Sequence, residues 1–360
     1  MSVRISNNTL EVFNPATGED ITSLPISPLS DLDSILNTAQ EAAESYNFSS
    51  FYQRQKLMTQ FRKGIVKHMD DFVETICSET GKKSVEGLME VFISLEHLKQ
   101  SSKHLYEALG KRSRRVGILK TRKAWVEYEA MGVAGIISPW NYPLILTVSP
   151  LIEALLAGNA VILKPSEHTP LTTELLKKVW DEATDRPELF QPVYGTGEIG
   201  SALVTSPQTD VICFTGSTSV GRKIAEACAP LFKPVILELG GKDPMIILKD
   251  ANQRRALESA LFGGLSNAGQ ACISIEQLYV ENDIFDDFTK KISAKIEKMT
   301  AGETVEDSIG CIITPENYDK INLHLSDLEN SVQMIKGGTK NNNIFIPPTL
   351  VINPPPDSKI

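Results

Sequence analysis

From residue 132 onward, short and almost uninterrupted apolar runs alternate with helical segments, and no other feature narrows the choice of fold as far. The runs are Val133–Ile137, Ala160–Leu163, Val211–Phe214, Val235–Leu239, Met245–Leu248 and Leu278–Val280. Each is too short for a stable helix and too uniformly apolar for a strand with one wet face. Strands of this kind sit in a parallel sheet with helices on both faces, so the predicted fold class is α/β. At 360 residues, 41% of them apolar and 22% charged, the chain can fill two domains. No internal repeat or long linker interrupts it; only the end from Lys340 to Ile360 is polar and proline-rich.

Upstream the texture is helical. Leu32, Ile35, Leu36, Ala39 and Ala43 recur at helical spacing behind Ser30, a candidate cap. Leu57, Phe61 and Ile65 predict a second helix ending near Gly81, and a polar helical stretch follows through His104 to Leu109. Val116 to Ala130 then reads as two strands about the polar link Lys120-Thr121-Arg122. The basic run Lys111-Arg112-Ser113-Arg114-Arg115 beside them reads as solvated surface. With 36 basic residues against 45 acidic ones, the net charge of -9 disfavours generic nucleic-acid or anionic-membrane binding.

Tyr142 to Leu163 is apolar enough to suggest a membrane span, but Pro150, Glu153 and Gly158-Asn159 interrupt it. A buried helix, a turn and a buried strand fit it better. Met1 to Asp20 lacks the basic region and apolar run of a secretory signal. The cysteines, Cys77, Cys213, Cys228, Cys272 and Cys311, are odd in number, scattered, and without CxxC or metal spacing. A reducing, cytoplasmic setting and no structural zinc are expected.

Two residues suggest chemistry. Cys272 closes the stretch Asn267-Ala268-Gly269-Gln270-Ala271-Cys272, and Glu238 is a lone carboxylate in an otherwise apolar strand. A cysteine is a nucleophile only as a thiolate, and a carboxylate desolvated among Val235, Ile236, Leu237 and Leu239 should have a raised pKa suited to a general base. On their own, Cys272 reads first as a small buried hydrophobe and Glu238 as a surface residue at a strand end.

Two glycine motifs compete for the phosphates of a nucleotide. Gly195-Thr196-Gly197-Glu198-Ile199-Gly200 has the GxGxxG spacing, but Glu198 would place negative charge beside a pyrophosphate. Gly216-Ser217-Thr218-Ser219-Val220-Gly221 follows a strand and opens a helix, where amides and hydroxyls suit a phosphate. Arg222-Lys223 stands where a P-loop needs Lys followed by Ser or Thr, which excludes an ATPase or GTPase of that type.

Five segments in register resemble one family. Pro139-Trp140-Asn141-Tyr142-Pro143, Lys164-Pro165-Ser166-Glu167, the Gly216 to Gly221 turn, Leu237-Glu238-Leu239-Gly240-Gly241-Lys242 and Gly269-Gln270-Ala271-Cys272 have the order and spacing of NAD(P)-dependent aldehyde dehydrogenases. The resemblance runs essentially from end to end. It implies a Rossmann-type parallel-sheet domain at 1–111 and 131–240, a β-hairpin oligomerisation arm at 112–130, and an incomplete α/β catalytic domain at 241–360. It also implies that Cys272 attacks the aldehyde carbon, that Asn141 and the Cys272 N–H meet the oxyanion, and that Glu238 activates the hydrolytic water.

For the cofactor, the resemblance places Lys164 and Glu167 at the adenosine ribose, Ser217 at the pyrophosphate between Gly216 and Gly221, and Trp140 and Gly197 on the cofactor side. Glu167 would repel the extra phosphate of NADP, so NAD is expected. No metal is expected. A small-molecule aldehyde, with Tyr142, Ile145, Ser149, Ala271 and Ile273 along its path, and a homodimer or homotetramer are the implied partners. That apolar path tilts toward an aliphatic or aromatic aldehyde rather than a semialdehyde acid.

The sequence departs from the family twice. Gln277 stands where an arginine is common, and the chain stops at Pro355-Pro356-Asp357-Ser358-Lys359-Ile360, ahead of an acidic segment that in the family holds the nicotinamide ribose. A C-terminally truncated chain of weak or no activity is the expectation. The alternatives are a remnant that only binds nucleotide and a coenzyme A-acylating dehydrogenase, against which Glu238 speaks.

Overall fold

The computed structural model describes residues 2–118, 121–329, 331–339, 344–356 and 358. It opens on three strands that the sequence pattern does not announce: β1 (Val3–Ser6), β2 (Thr9–Phe13) and β3 (Asp20–Pro25), in the order β1-β2-β3. β1 and β2 pair antiparallel across Asn7 and Asn8, whose φ values of 47° and 60° are those of a tight hairpin turn. Only Leu10 and Val12 of β2 are fully buried, so the apolar signal is too sparse to be read in advance.

Four helices follow: α1 (Leu29–Asn47), α2 (Phe51–Lys67), α3 (Met69–Thr80) and α4 (Ser84–Leu109). Ser30 is not the cap of α1. Pro28 occupies that position with extended φ/ψ, and Ser30 Oγ instead donates to Asp31 within the first turn. The helix expected from Leu57 to Gly81 is two helices broken at His68, and Gly81, at φ 67°, ends the second. α2 begins with a capping box in which Ser50 and Gln53 each accept the other's backbone N–H.

Next come β4 (Arg112–Arg114) and β5 (Ala124–Val126), paired antiparallel with Arg112 opposite Val126. The first strand therefore lies in the basic run rather than after Val116, where Gly117 turns the chain with φ 60°. Lys120 of the expected link falls outside the described residues, as do 340–343, 357 and 359–360 of the proline-rich end.

The central elements are β6 (Val133–Ile137), α5 (Ile145–Ala157), β7 (Ala160–Lys164), α6 (Leu171–Ala183), β8 (Phe190–Pro192), α7 (Gly197–Thr205), β9 (Val211–Gly216), α8 (Thr218–Cys228) and β10 (Val235–Leu239). Their strands form one sheet in the order β10-β9-β6-β7-β8. β6 pairs parallel with β7 and β9, and β7 with β8. Every residue of β7 is buried, which explains its uninterrupted apolar run.

The remaining elements are β11 (Asp243–Ile247), α9 (Gln253–Leu265), β12 (Ile275–Val280), α10 (Asn282–Ile296), β13 (Thr300–Ala301), α11 (Pro315–Leu328), β14 (Gln333–Lys336), β15 (Gly338–Thr339) and β16 (Thr349–Ile352). β11 and β12 pair parallel in a sheet of their own. The six strands expected from apolar runs are thus divided, four to the large sheet and two to this small one. No helix among the described residues is long and apolar enough to cross a membrane.

By compactness the chain forms two units, one of residues 1–24, 73–88 and 239–360, the other of residues 25–72 and 89–238. This cut differs from the functional division at 111, 131 and 240, because the first strands and the α3–α4 turn group with the C-terminal part.

The second unit holds the five-stranded sheet. At its centre Trp180 packs edge-to-face on Phe61 at 5.0 Å and on Phe190 at 6.2 Å, contacts worth about 1 kcal/mol each beyond area burial. The buried guanidinium of Arg54 donates to Leu156 O, Asn47 O and Ser49 Oγ. In the first unit Ile247, Leu257, Phe288, Ile292 and Ile296 form the core between β11–β12 and the helices. A cleft of about 620 Å³ beside it is lined by β12, β16 and Phe288.

Candidate functional site

In the sheet of the second unit, successive crossovers run from β6 to β7 to β8 on one side and from β9 to β10 on the other. The direction of winding therefore reverses between β6 and β9. In open parallel sheets the crevice at such a reversal, beyond the carboxyl ends of the strands, is where ligands bind. Many of the residues singled out in the sequence stand at or just after the carboxyl ends of these strands. Trp140 and Asn141 follow β6, Lys164 ends β7 with Glu167 just after it, the Gly195–Gly200 motif follows β8, and Gly216-Ser217 ends β9.

Lys164 is 3% exposed, so it is a buried group and not a solvated strand end. Its ammonium donates to Pro165 O at 2.9 Å and to Glu167 Oε2 at 3.3 Å. Burial pushes the Lys164 amine below its ordinary value, against the pull of Glu167. Burial alone would raise the Glu167 carboxyl, but the Lys164 charge and the residue's own N–H outweigh it and hold it low. The pair is a fixed donor and acceptor, as ribose hydroxyls require.

Gly200 packs on this pair, since a Cβ there would lie 3.3 Å from Lys164 Cδ. The last glycine of the GxGxxG motif is therefore brought beside Lys164. Gly195, at φ 148°, has no room for a side chain because a Cβ would meet Ile199 at 2.7 Å, whereas Gly197 is exposed with open space before it. Thr196 caps α7 by accepting from Glu198 N–H.

Ser217 caps α8, its Oγ accepting from Val220 N–H at 3.3 Å and bonding Ser219 Oγ at 3.1 Å. Ser217, Thr218 and Ser219 are all exposed at the helix N-terminus, while Gly221 is buried in the first turn. An exposed helix N-terminus at a strand end is fit for a phosphate, and the Lys164–Glu167 pair for a sugar. The donors present thus fit a nicotinamide dinucleotide.

Asn141 is half-buried, and its Oδ1 accepts from Tyr142 N–H at 3.1 Å. The donor end of the amide is then Nδ2, the end an oxyanion needs. The turn carrying it is held by a residue that no local pattern marks. Glu90, 2% exposed on α4, accepts from Leu144 N–H at 2.8 Å and Ile145 N–H at 3.2 Å, a carboxylate on the start of α5.

Glu238 corrects an expectation. In β10 the odd positions are half-buried and Ile236 and Glu238 are exposed, so the carboxylate points into solvent and is not desolvated by its apolar neighbours. Its charge still reaches the next strand. Burial pushes the Cys213 thiol up to about 11, with the carboxylates of Glu153 and Glu238 adding to the effect.

Cys272 belongs to the first unit and is the exposed one among the five free cysteines. It follows a 3-10 turn, Ser266–Gly269, in which Asn267, Ala268 and Gly269 take φ values of 52°, 55° and 78°. Three left-handed residues in a row, two of them with a Cβ, are strained and must be held by their surroundings. Here Asn267 N–H donates to Glu86 Oε1, and Gln270 donates to Asn267 O and Cys311 O while accepting from Ile313 N–H. On the far side Ser274 Oγ donates to Gly263 O at 3.2 Å. Ala271 is half-buried, and Ile273 is 76% exposed. Gln277 accepts from Tyr279 Oη.

Known proteins resemble this chain in sequence and in fold. The model described as the aldehyde dehydrogenase family matches residues 3–360. D-glyceraldehyde dehydrogenase (NADP(+)) of Picrophilus torridus is 31% identical over 99% of this chain and 73% of its own length. A putative succinate-semialdehyde dehydrogenase of Mycolicibacterium smegmatis, named for NADP(+), is 32% identical over 98% of this chain and 68% of its own. Among solved structures, an E. coli NADP-dependent enzyme superposes with a TM-score of 0.92 at 27% identity, covering 98% of this chain and 74% of that one.

Proposed function

The chain belongs to the aldehyde dehydrogenase family, and on that premise we propose that it oxidises an aldehyde to a carboxylic acid with NAD, in preference to NADP, as hydride acceptor. The observation that carries the reading is the position of Trp140, Asn141, Gly216 and Ser217 at the carboxyl ends of β6 and β9, which flank the point where the sheet reverses, with Lys164 and Glu167 at the end of the neighbouring β7.

Each residue has a task. The Cys272 thiolate adds to the aldehyde carbon, giving a thiohemiacetal on Sγ. Asn141 Nδ2 and the Cys272 N–H donate to its oxyanion, each donor worth about 3 kcal/mol in the transition state. NAD, when bound, would supply the hydride acceptor; Lys164 and Glu167 would hold its adenosine ribose, and Ser217, between Gly216 and Gly221, its pyrophosphate. Trp140 and Gly197 border the same crevice. Collapse of the adduct leaves a thioester on Cys272. Glu238, open to solvent, takes a proton from the water that hydrolyses it, and the acid leaves.

The NAD preference rests on Glu167, whose carboxylate accepts from ribose hydroxyls and repels the additional phosphate of NADP. Relatives named for NADP(+) make the opposite outcome a real competitor. The exposed β4–β5 ribbon, with Trp125 half-exposed, is the proposed arm for a homodimer or homotetramer.

Purified protein is assayed with an aldehyde panel, each cofactor, and with or without coenzyme A. Acid formed without coenzyme A supports the reading. Acyl transfer that requires coenzyme A makes the protein an acylating dehydrogenase, and NAD binding with no turnover that Cys272→Ala abolishes makes it a nucleotide-binding remnant.

A further inference from the structure

The basic run that follows α4 has no part in the reaction proposed above. Residues 111–126 carry seven lysines and arginines and no aspartate or glutamate, in a chain whose net charge is -9. Folding puts this run on the β4–β5 ribbon, wholly inside the second unit. Val126 and Ala124 stand opposite Arg112 and Arg114, so no carboxylate faces either guanidinium across the ribbon. At the root of the ribbon Lys111 pairs with Glu127 at 3.1 Å, and Arg112 donates to Glu107 O. Arg114, Arg115, Arg122 and Lys123 are exposed and, among the described residues, have no hydrogen-bonding or ion-pair partner. Acid is thus kept to the root and free positive charge to the far end.

That end is apolar as well as basic. Gly117 turns the chain at φ 60°, and Ile118 next to it is 94% exposed. We propose that Arg115, Ile118, Arg122 and Lys123, with Arg114 behind them, dock the protein on a membrane surface rich in anionic phospholipid. The cations meet the headgroup phosphates, and Ile118 enters the boundary with the acyl chains, where an aliphatic side chain flanked by cations is at home. The net charge of -9 does not oppose this docking, because at physiological salt a charge is felt over only about 8 Å. A nucleic acid would use the same cations but gain nothing from Ile118. Nor is Trp125 free on both faces to stack a base, since the Lys111 ammonium lies 4.1 Å from its ring centre. The docking stands apart from the aldehyde chemistry. It uses the loop end of the ribbon, not the paired segment with Trp125 offered above as the subunit contact.

The test floats the purified chain with vesicles of phosphatidylcholine alone, or of phosphatidylcholine with phosphatidylglycerol. The chain should float with the anionic vesicles and not with the neutral ones. Arg115→Gln, Arg122→Gln and Lys123→Gln together should weaken binding to the anionic vesicles roughly a hundredfold, at about fivefold for each surface cation. Lys63, Lys178 and Lys290 are exposed elsewhere, and their joint exchange for glutamine alters the net charge equally. That control should leave binding within about twofold. Ile118→Ser should weaken binding about tenfold, and the fluorescence of Ile118→Trp should be quenched by brominated acyl chains more than that of the unmodified chain.

Flotation with both kinds of vesicle alike or with neither, a control that loses as much as the ribbon variant, or an Ile118→Trp signal untouched by bromine overturns the proposal. So does an oligonucleotide that displaces the chain from the vesicles and binds Ile118→Ser as well as the unmodified chain, for the ribbon is then a nucleic-acid surface. By light scattering, the ribbon variant and the unmodified chain should have the same mass. Flotation lost only together with a changed mass makes the ribbon end a subunit contact and also overturns the proposal.

Discussion

Cys272 is exposed where Cys228 and Cys311 are buried and Cys77 and Cys213 are half-buried, so the five thiols should separate in reactivity. Burial pushes Cys311 up to about 12 and Cys213 up to about 11, which leaves both protonated and slow at neutral pH. Brief alkylation near pH 8 followed by peptide mass mapping should label Cys272 first, and labelling of Cys311 ahead of it would contradict the packing. Cys272→Ala should lower kcat on the order of a thousandfold or more while NAD binding persists. Glu167→Gln removes the charge opposed to the phosphate of NADP, so the ratio of kcat/KM for NAD over NADP should fall severalfold in steady-state assays. Some of these residues were legible in the sequence because each motif is local. The surroundings of Glu238 were not. Neighbours in a strand point to opposite faces, so apolar residues on either side of a carboxylate say nothing about the face it occupies. Glu90 was invisible for another reason, since its partners at the start of α5 are more than fifty residues away and only folding introduces them.

At the scale of elements, the strands carrying a continuous apolar run were readable, β10, β11 and β12 among them although each exposes part of one face, and the others were not. β6, β7, β9 and β10 are found where their apolar runs predict. β1, β3 and β4 carry too few buried side chains to leave a pattern, and β8 is three residues ending in Pro192. The joint between α2 and α5 also escaped notice, although a glycine marks it. Gly158 ends α5 at φ 100°, and a Cβ there would lie 2.6 Å from Arg54 Nη2. Gly158→Ala should therefore cost more than the usual left-handed penalty of about 1 kcal/mol, because it also displaces the guanidinium. Arg54→Ala leaves two carbonyls without their charged donor and should destabilise by about 2–4 kcal/mol. Urea denaturation followed by circular dichroism checks both, and a loss under 1 kcal/mol in Arg54→Ala would show that water replaces the guanidinium.

For the molecule as a whole, the α/β class and the parallel sheet followed from the sequence, while the way the chain is shared between two units did not. Contact between distant segments sets that sharing, and no local pattern encodes it. Association is a property of this scale too. Trp125 on β5 is 51% exposed, with the Lys111 ammonium 4.1 Å from its ring centre. If the ribbon is the subunit contact, Trp125→Glu should lower the mass measured by light scattering on a sizing column, and an unchanged oligomer would move the contact elsewhere.

The interleaving of the units also bears on how the protein is made. Strands β1 to β3 lie within residues 1–25, yet the unit that holds residues 1–24 also draws on residues 239–360. At roughly 5–20 residues per second of synthesis, those strands wait on the order of 10–40 s before their partners leave the ribosome. The sheet of β6 to β10 has no such wait. The nascent chain should therefore gain protease resistance first in 89–238, while its leading strands remain the segment most in need of a chaperone.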